Sequence, residues 1–197
     1  MRPLSSTHTG VAIVFYGLLA VFVVLEQRTR LRSLLNRGGE RRDQGSLYLL
    51  IVCIGAGVAA AFALAFDVPG ASLGSARWPL LCCGLVLMVA GIVLRQWAIA
   101  LLGRFFTVDV RVQEGQEVVE SGPYRWVRHP SYTGMLLTFA GIGLCLGNWL
   151  SILCVLVPPN IGLLVRIHVE EAALMAELGE PYRRFAAGRA RLIPHVW

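Results

Sequence analysis

Long apolar runs separated by arginine-bearing connections leave this chain few ways to fold. Hydrophobic residues make up 56% of it and charged residues only 15%, a balance that places it inside a membrane rather than around a soluble core. The first run extends from about Gly10 to Leu25, the second from Ser46 to Phe66 and the third from Pro79 to about Leu102. From Tyr132 to Val165 the chain is apolar again, which is too long for one crossing and enough for two short ones. A turn between those two fits at Gly147-Asn148-Trp149, with Pro158-Pro159-Asn160 as the alternative. If the chain turns at Asn148, the proline pair is expected to kink the last span and leave an opening for an apolar ligand tail. The start lacks the features of a cleaved signal peptide, so the first run is expected to be retained.

The reading is therefore an all-α integral membrane protein of about five spans, one domain over residues 1–197. Residues 1–102 are expected to be three scaffold spans, and 103–197 to form the catalytic region. Although the net charge is +6, the arginines sit in connections, which speaks for topology and against nucleic acid. Arg28, Arg30, Arg32, Arg37, Arg41 and Arg42 mark the first connection as cytoplasmic, with Gly38-Gly39 as a breaker. Arg104, Arg111, Arg125 and Arg128 mark the third, so the N-terminus is expected outside and the C-terminus inside. The absence of lysine is read as genome composition, consistent with a bacterial inner membrane. Arg95 falls within the third span near its end and is expected to snorkel to the interface. Gly55-Ala-Gly57 resembles a nucleotide turn but lacks the strand that such a turn must follow, so it reads as a helix-packing face. The five cysteines read as small buried hydrophobes, with no metal centre expected.

Two polar constellations fall on the same expected face. The first is Gln113 through Tyr132, and the stretch Ser121 to Gly134 packs Tyr124, Arg125, Trp126, Arg128, His129, Ser131 and Tyr132 around Pro123 and Pro130, directly before an apolar run. His129 precedes Pro130 and is biased towards an extended backbone. The second constellation is Arg166, Glu170 and Glu171, with Arg166 and Glu170 one helical turn apart. A surface ion pair there would contribute only ~0.5 kcal/mol. Facing a polar loop, the same pair suits a zwitterionic ligand. Gly179 reads as a helix stop, followed by a short interfacial helix from Pro181.

Gly122-Pro-Tyr-x-Trp-x-Arg-His-Pro-Ser-Tyr-x-Gly134, then Arg166-x-x-x-Glu170-Glu171 and Gly179-Glu-x-Tyr182, resembles the isoprenylcysteine carboxyl methyltransferase family. The resemblance covers roughly Phe106 to Val196, and its elements are shared with phospholipid N-methyltransferases and, more weakly, sterol reductases. It implies S-adenosylmethionine as cofactor and a lipophilic or prenylated-cysteine substrate whose carboxylate accepts the methyl group. It further implies cofactor contacts from Gln113, Gln116, Glu117, Val118, Val119, Tyr124, His129, Pro130, Ser131, Tyr132 and Glu170. Arg166 matches the substrate-binding arginine. Gln116 stands where some relatives carry His, and the loop from Gln113 to Gln116 is shorter than in the family. A carboxylate with an ordinary pKa near ~4 needs no general base, so the expected role of Arg166 is bidentate orientation. The alternatives are a phospholipid or small-lipid N- or S-methyltransferase, for which Glu171 or His129 would take a proton, and a non-catalytic scaffold or transporter.

Overall fold

The computed structural model describes residues 2–35, 40–113, 115–194 and 196–197, so Arg37 and the Gly38-Gly39 breaker lie outside the described residues. Six α-helices follow in order: α1 Thr9–Leu35, α2 Ser46–Asp67, α3 Arg77–Leu102, α4 Pro130–Leu146, α5 Trp149–Leu178 and α6 Glu180–Ala187. α1, α2, α3 and α5 are long and apolar enough to cross a membrane. α4, with 17 residues, is apolar but shorter, about 25 Å. Large apolar side chains such as Ile13, Val24, Val86 and Val93 face outward, as lipid-facing positions do. The protein is an integral membrane protein.

The turn between the last two long helices falls at Gly147-Asn148, and the reason is local. Gly147 takes a left-handed φ of +63°, and the Asn148 side chain accepts from the backbone N–H of Leu150 (3.0 Å) and Ser151 (3.2 Å), capping α5. Its amide nitrogen donates to the carbonyls of Leu64 and Val68, both at 3.1 Å, fixing the hairpin to the end of α2. Pro158 and Pro159 lie inside α5, which runs through them as one helix. Pro159 packs beside Gly57 of α2, where an added Cβ would come within 2.5 Å of the Cys154 carbonyl. Gly57 thus serves the packing role read from the sequence, while Gly55 meets no neighbour within 4 Å.

The closest helix pair is α3 with α4. Gly91 faces the Gly134 carbonyl and Gly84 the Gly141 carbonyl, each so near that an added Cβ would sit within 2.7 Å. Replacing Gly91 by Ala is expected to force the two backbones apart and cost about 1–3 kcal/mol, read as a lower melting temperature in detergent. α2 with α5 is the other extensive pairing. α1 is packed more loosely. Its Phe15 stacks on Phe62 of α2 at 6.3 Å between ring centroids, and beyond that contact the two helices diverge around a cavity. Of the cysteines, Cys145 is buried but Cys82 and Cys83 are exposed, so the expected uniform burial is corrected. A helix surface bathed in lipid accepts a small apolar thiol as readily as a core does.

Arg95 does not snorkel. It is 5% exposed, bonded to Glu26 of α1 through Nε and through Nη2 (2.7 Å), and its Nη1 donates to the Ser131 carbonyl at 3.1 Å. A carboxylate on a neighbouring helix satisfies the guanidinium internally, so the side chain has no reason to reach for water. Near the same end, a two-residue antiparallel pair joins β1 Glu40–Arg41 to β2 Arg111–Val112. It ties the α1–α2 connection to the segment after α3, within Val108 to Val112, whose alternating apolar and charged residues predict a short extended segment.

Candidate active site

Where α1 and α2 diverge, a cavity of about 460 Å³ opens, a size usual for small-molecule sites. One arm runs between α1 and α2 and is lined by Phe22, Leu50, Ile51 and Ile54, with Met135 and Phe139 from α4. None of Trp149–Val165 lines the cavity, so the opening expected at the proline pair is corrected: the apolar arm lies on the α1 side. The other arm is lined by Gln116, Glu117, Val118, Val119, Tyr124, Tyr182 and Phe185. The two arms meet at Ser131, Tyr132, His129, Arg166 and Glu170.

Each of those side chains has an evident anchor. Pro130 opens α4 with its missing N–H at a position that needs none, which sets Ser131 and Tyr132 in the first turn. The backbone N–H groups of Arg128 and His129 donate to the carbonyls of Ala190 (2.9 Å) and Arg191 (3.0 Å), so the C-terminal tail holds the polar segment in place. The His129 ring stacks on Tyr132, 5.5 Å between centroids and 16° from parallel. Its Nε2 lies 3.3 Å from Glu171 Oε1. Glu171 also accepts from Arg128 (2.8 Å) and Arg191 (3.0 Å), which makes it a buried junction turned away from the cavity.

Arg166 and Glu170 share a helix face but do not bond directly. Tyr132 lies between them: its hydroxyl accepts from Arg166 Nε at 2.9 Å and donates to Glu170 Oε2 at 2.6 Å. Arg166 is 3% exposed. Its Nη1 donates to Asp43 (2.8 Å) and Ser46 (3.3 Å), and its Nη2 to the Val108 carbonyl. Of five N–H groups, one is left. The N–H left without a partner among the described residues is on Nη2, one donor where the bidentate grip expected from the sequence uses two. Burial alone would raise the pKa of Asp43, but the Leu47 N–H, the Ser46 hydroxyl and the Arg166 cation together hold it below its ordinary value.

The cofactor-side residues are unequally placed. Gln116 to Val119, Tyr124, His129, Ser131, Tyr132 and Glu170 line the cavity, whereas Gln113 and Pro130 do not. Gln113 instead closes a turn at Gly115, its N–H donating to the Gln116 side chain at 3.0 Å. Burial pushes the phenols of Tyr124 and Tyr182 up, so both are neutral at physiological pH. The Tyr182 hydroxyl and Arg128 Nε are buried without a hydrogen-bond partner among the described residues, and both residues line the cavity. An aromatic sleeve with such unmatched polar atoms, next to a carboxylate, fits a ligand that is part flat ring and part charged chain. Sequence reasoning missed Glu26, Arg95, Asp43, Ser46 and Phe185. Tyr182 carried a signal, since it closes the Gly179-Glu-Pro-Tyr182 element.

Comparison with known proteins agrees with this geometry. Residues 84–176 match the model of the isoprenylcysteine carboxyl methyltransferase (ICMT) family. Protein-S-isoprenylcysteine O-methyltransferase B of Arabidopsis thaliana is 33% identical over 115 residues, covering 57% of this chain and 58% of that protein. The protein YpbQ of Bacillus subtilis is 32% identical over 82 residues, 42% of this chain and 49% of that one. The structure of a eukaryotic intramembrane Ras methyltransferase, ICMT, superposes with a TM-score of 0.61 at 27% identity, covering 74% of this chain and 52% of the other. The chain thus spans about half the length of the relatives it matches. The matched segment carries α4, the Tyr132–Arg166–Glu170 bridge and most of the residues that line the cavity, and over it the chain is similar to the isoprenylcysteine carboxyl methyltransferase family.

Proposed function

We propose that this protein is an integral-membrane, S-adenosylmethionine-dependent methyltransferase that esterifies the carboxylate of a lipophilic, isoprenylcysteine-type acceptor. The observation that carries the reading is the placing of one polar bridge, Arg166–Tyr132–Glu170, between an apolar arm and an aromatic arm of one cavity. S-adenosylmethionine would supply an electrophilic methyl group. The chain's own residues bind, orient and exclude water. Val118, Val119, Tyr124 and Phe185 offer flat apolar surface to a nucleoside ring, and Glu170 offers a carboxylate to its cationic or hydroxyl groups. The free N–H of Arg166 aligns the acceptor carboxylate, and Phe22, Leu50 and Ile54 cover an apolar tail. Alignment of this kind contributes on the order of 7–11 kcal/mol to a displacement that needs no base. Residues 1–197 act as one membrane domain in this reading, with five crossings and the cavity opening towards the cytoplasm.

Purified protein in detergent is expected to bind S-adenosylmethionine and to transfer a labelled methyl group to a prenylated cysteine. No detectable binding at millimolar concentration would sink the proposal. Glu170→Ala is expected to weaken cofactor affinity about 10- to 100-fold in calorimetry, because a charge-assisted partner is lost. A second reading, an amine acceptor such as a phospholipid headgroup, is favoured by the His129–Glu171 contact, which could hold a proton near the junction. Labelled transfer to phosphatidylethanolamine, run beside the prenylated cysteine, separates the two.

A further inference from the structure

The carboxylate that engages Arg166 comes from a part of the chain that no motif marks. Asp43, in the α1–α2 connection, is 1% exposed. Its Oδ1 accepts from Arg166 Nη1 (2.8 Å) and Ser46 Oγ (2.9 Å), and its Oδ2 from the Leu47 N–H (3.2 Å). Arg166 lines the cavity and Asp43 does not, so the carboxylate stands behind the guanidinium as seen from the ligand. An acceptor carboxylate approaching Arg166 therefore meets a cation already partly cancelled. In a low-dielectric site that cancellation matters, because an unpaired guanidinium would attract the anion strongly at hydrogen-bond distance. Strong attraction of that kind stabilises the ionised oxygen before it attacks, which tightens binding without speeding the reaction.

We propose that Asp43 is a specificity-determining positioning residue, which sets how tightly Arg166 holds an anionic acceptor and keeps the attacking oxygen loosely bound but aligned. The proposal rests on the carboxyl-methyltransferase reading above. Asp43 keeps Arg166 oriented through the same contact by which it weakens the cation, so a variant that preserves shape and removes only charge separates the two roles.

The test uses the full chain in detergent, with a prenylated cysteine free acid as acceptor and its uncharged amide as a competitive inhibitor. Asp43→Asn removes the charge and, with its amide oxygen at the Oδ1 position, keeps the acceptor for Arg166 and Ser46 while giving up the one for the Leu47 N–H. It is expected to lower the KM for the acid about tenfold and to lower kcat several-fold, leaving inhibition by the amide within about twofold. A merely structural role for Asp43 predicts the reverse, a raised KM together with the lower kcat, and that result overturns the proposal, as does an unchanged KM. If Asp43→Asn does not fold, Ser46→Ala decides. It removes one donor from Asp43 while keeping its charge, which then bears more fully on Arg166, and is expected to raise the KM for the acid about threefold while inhibition by the amide stays within about twofold; an unchanged or lowered KM, or an equal weakening of the amide, overturns the idea. Wild-type protein that fails to methylate the acid defeats the underlying reading instead, so the two failures are distinct.

Discussion

Arg166→Ala is expected to lower methyl transfer to a carboxylate acceptor on the order of a thousandfold, since the alignment of the acceptor depends on its guanidinium. The same substitution breaks the buried Arg166–Asp43 pair, at a cost of about 3–5 kcal/mol, so the melting temperature should fall steeply. Cofactor affinity should drop only a few-fold, less than in Glu170→Ala, because the Tyr132 hydroxyl still donates to Glu170. Lost folding and lost chemistry are separated by the double variant Arg166→Met/Asp43→Leu. Replacing both charges by apolar groups is expected to restore most of the melting temperature while turnover stays absent. Recovery of turnover in the double variant would remove Arg166 from the reaction.

Arg95→Met is the second large effect. It leaves the Glu26 carboxylate facing an apolar cavity arm and the Ser131 carbonyl without its donor, and removes the charged tie between α1 and α3. The expected loss is about 3 kcal/mol of stability, with α1 the first segment to lose hydrogen-exchange protection. Adding Glu26→Leu should recover most of that stability, because no lone charge then remains. If Arg95→Met alone melts like the wild type, the pair is not what holds α1 in place.

Elements set by local chemistry were legible before the structure. The turn at Asn148, one of two that the sequence allowed, the stop at Gly179 and the extended stretch within Val108 to Val112 each follow from a few neighbouring residues, whereas the apolar run read from Tyr132 begins its helix two residues earlier, at Pro130. What pairs across long distances was not. Arg95 looked like a snorkelling residue because its partner, Glu26, lies 69 positions away at the end of another helix. Asp43 follows the arginines of a connection read as a topology signal and carried no mark of its own, whereas its contact with Arg166 spans 123 positions. Of the candidate site, Tyr132 and Glu170 were read together with Arg166, but periodicity could not show that the phenol would stand between them. Gln113 followed the family motif, yet the short loop around Gly115 turns its backbone into a local hydrogen bond and leaves it off the cavity wall.

The glycine contacts between α3 and α4 bring their backbones together with no long side chains between them to rearrange. α1, by contrast, meets its neighbours through separate side-chain contacts: Phe15 on Phe62, Phe22 on Phe139, the Glu26 pair and the Ser33 hydroxyl at Val108. The cavity therefore has one stiff wall and one compliant wall. On the proposed function, displacement of α1 is the expected way in for a bulky tail, with the Tyr132–Glu170 side keeping its shape. In such a molecule the length and stiffness of the acyl or prenyl chain should govern how fast ligands enter and leave. The rate would then track the fluidity of the surrounding lipid, while the orientation of whatever has entered stays the same from one bilayer to another.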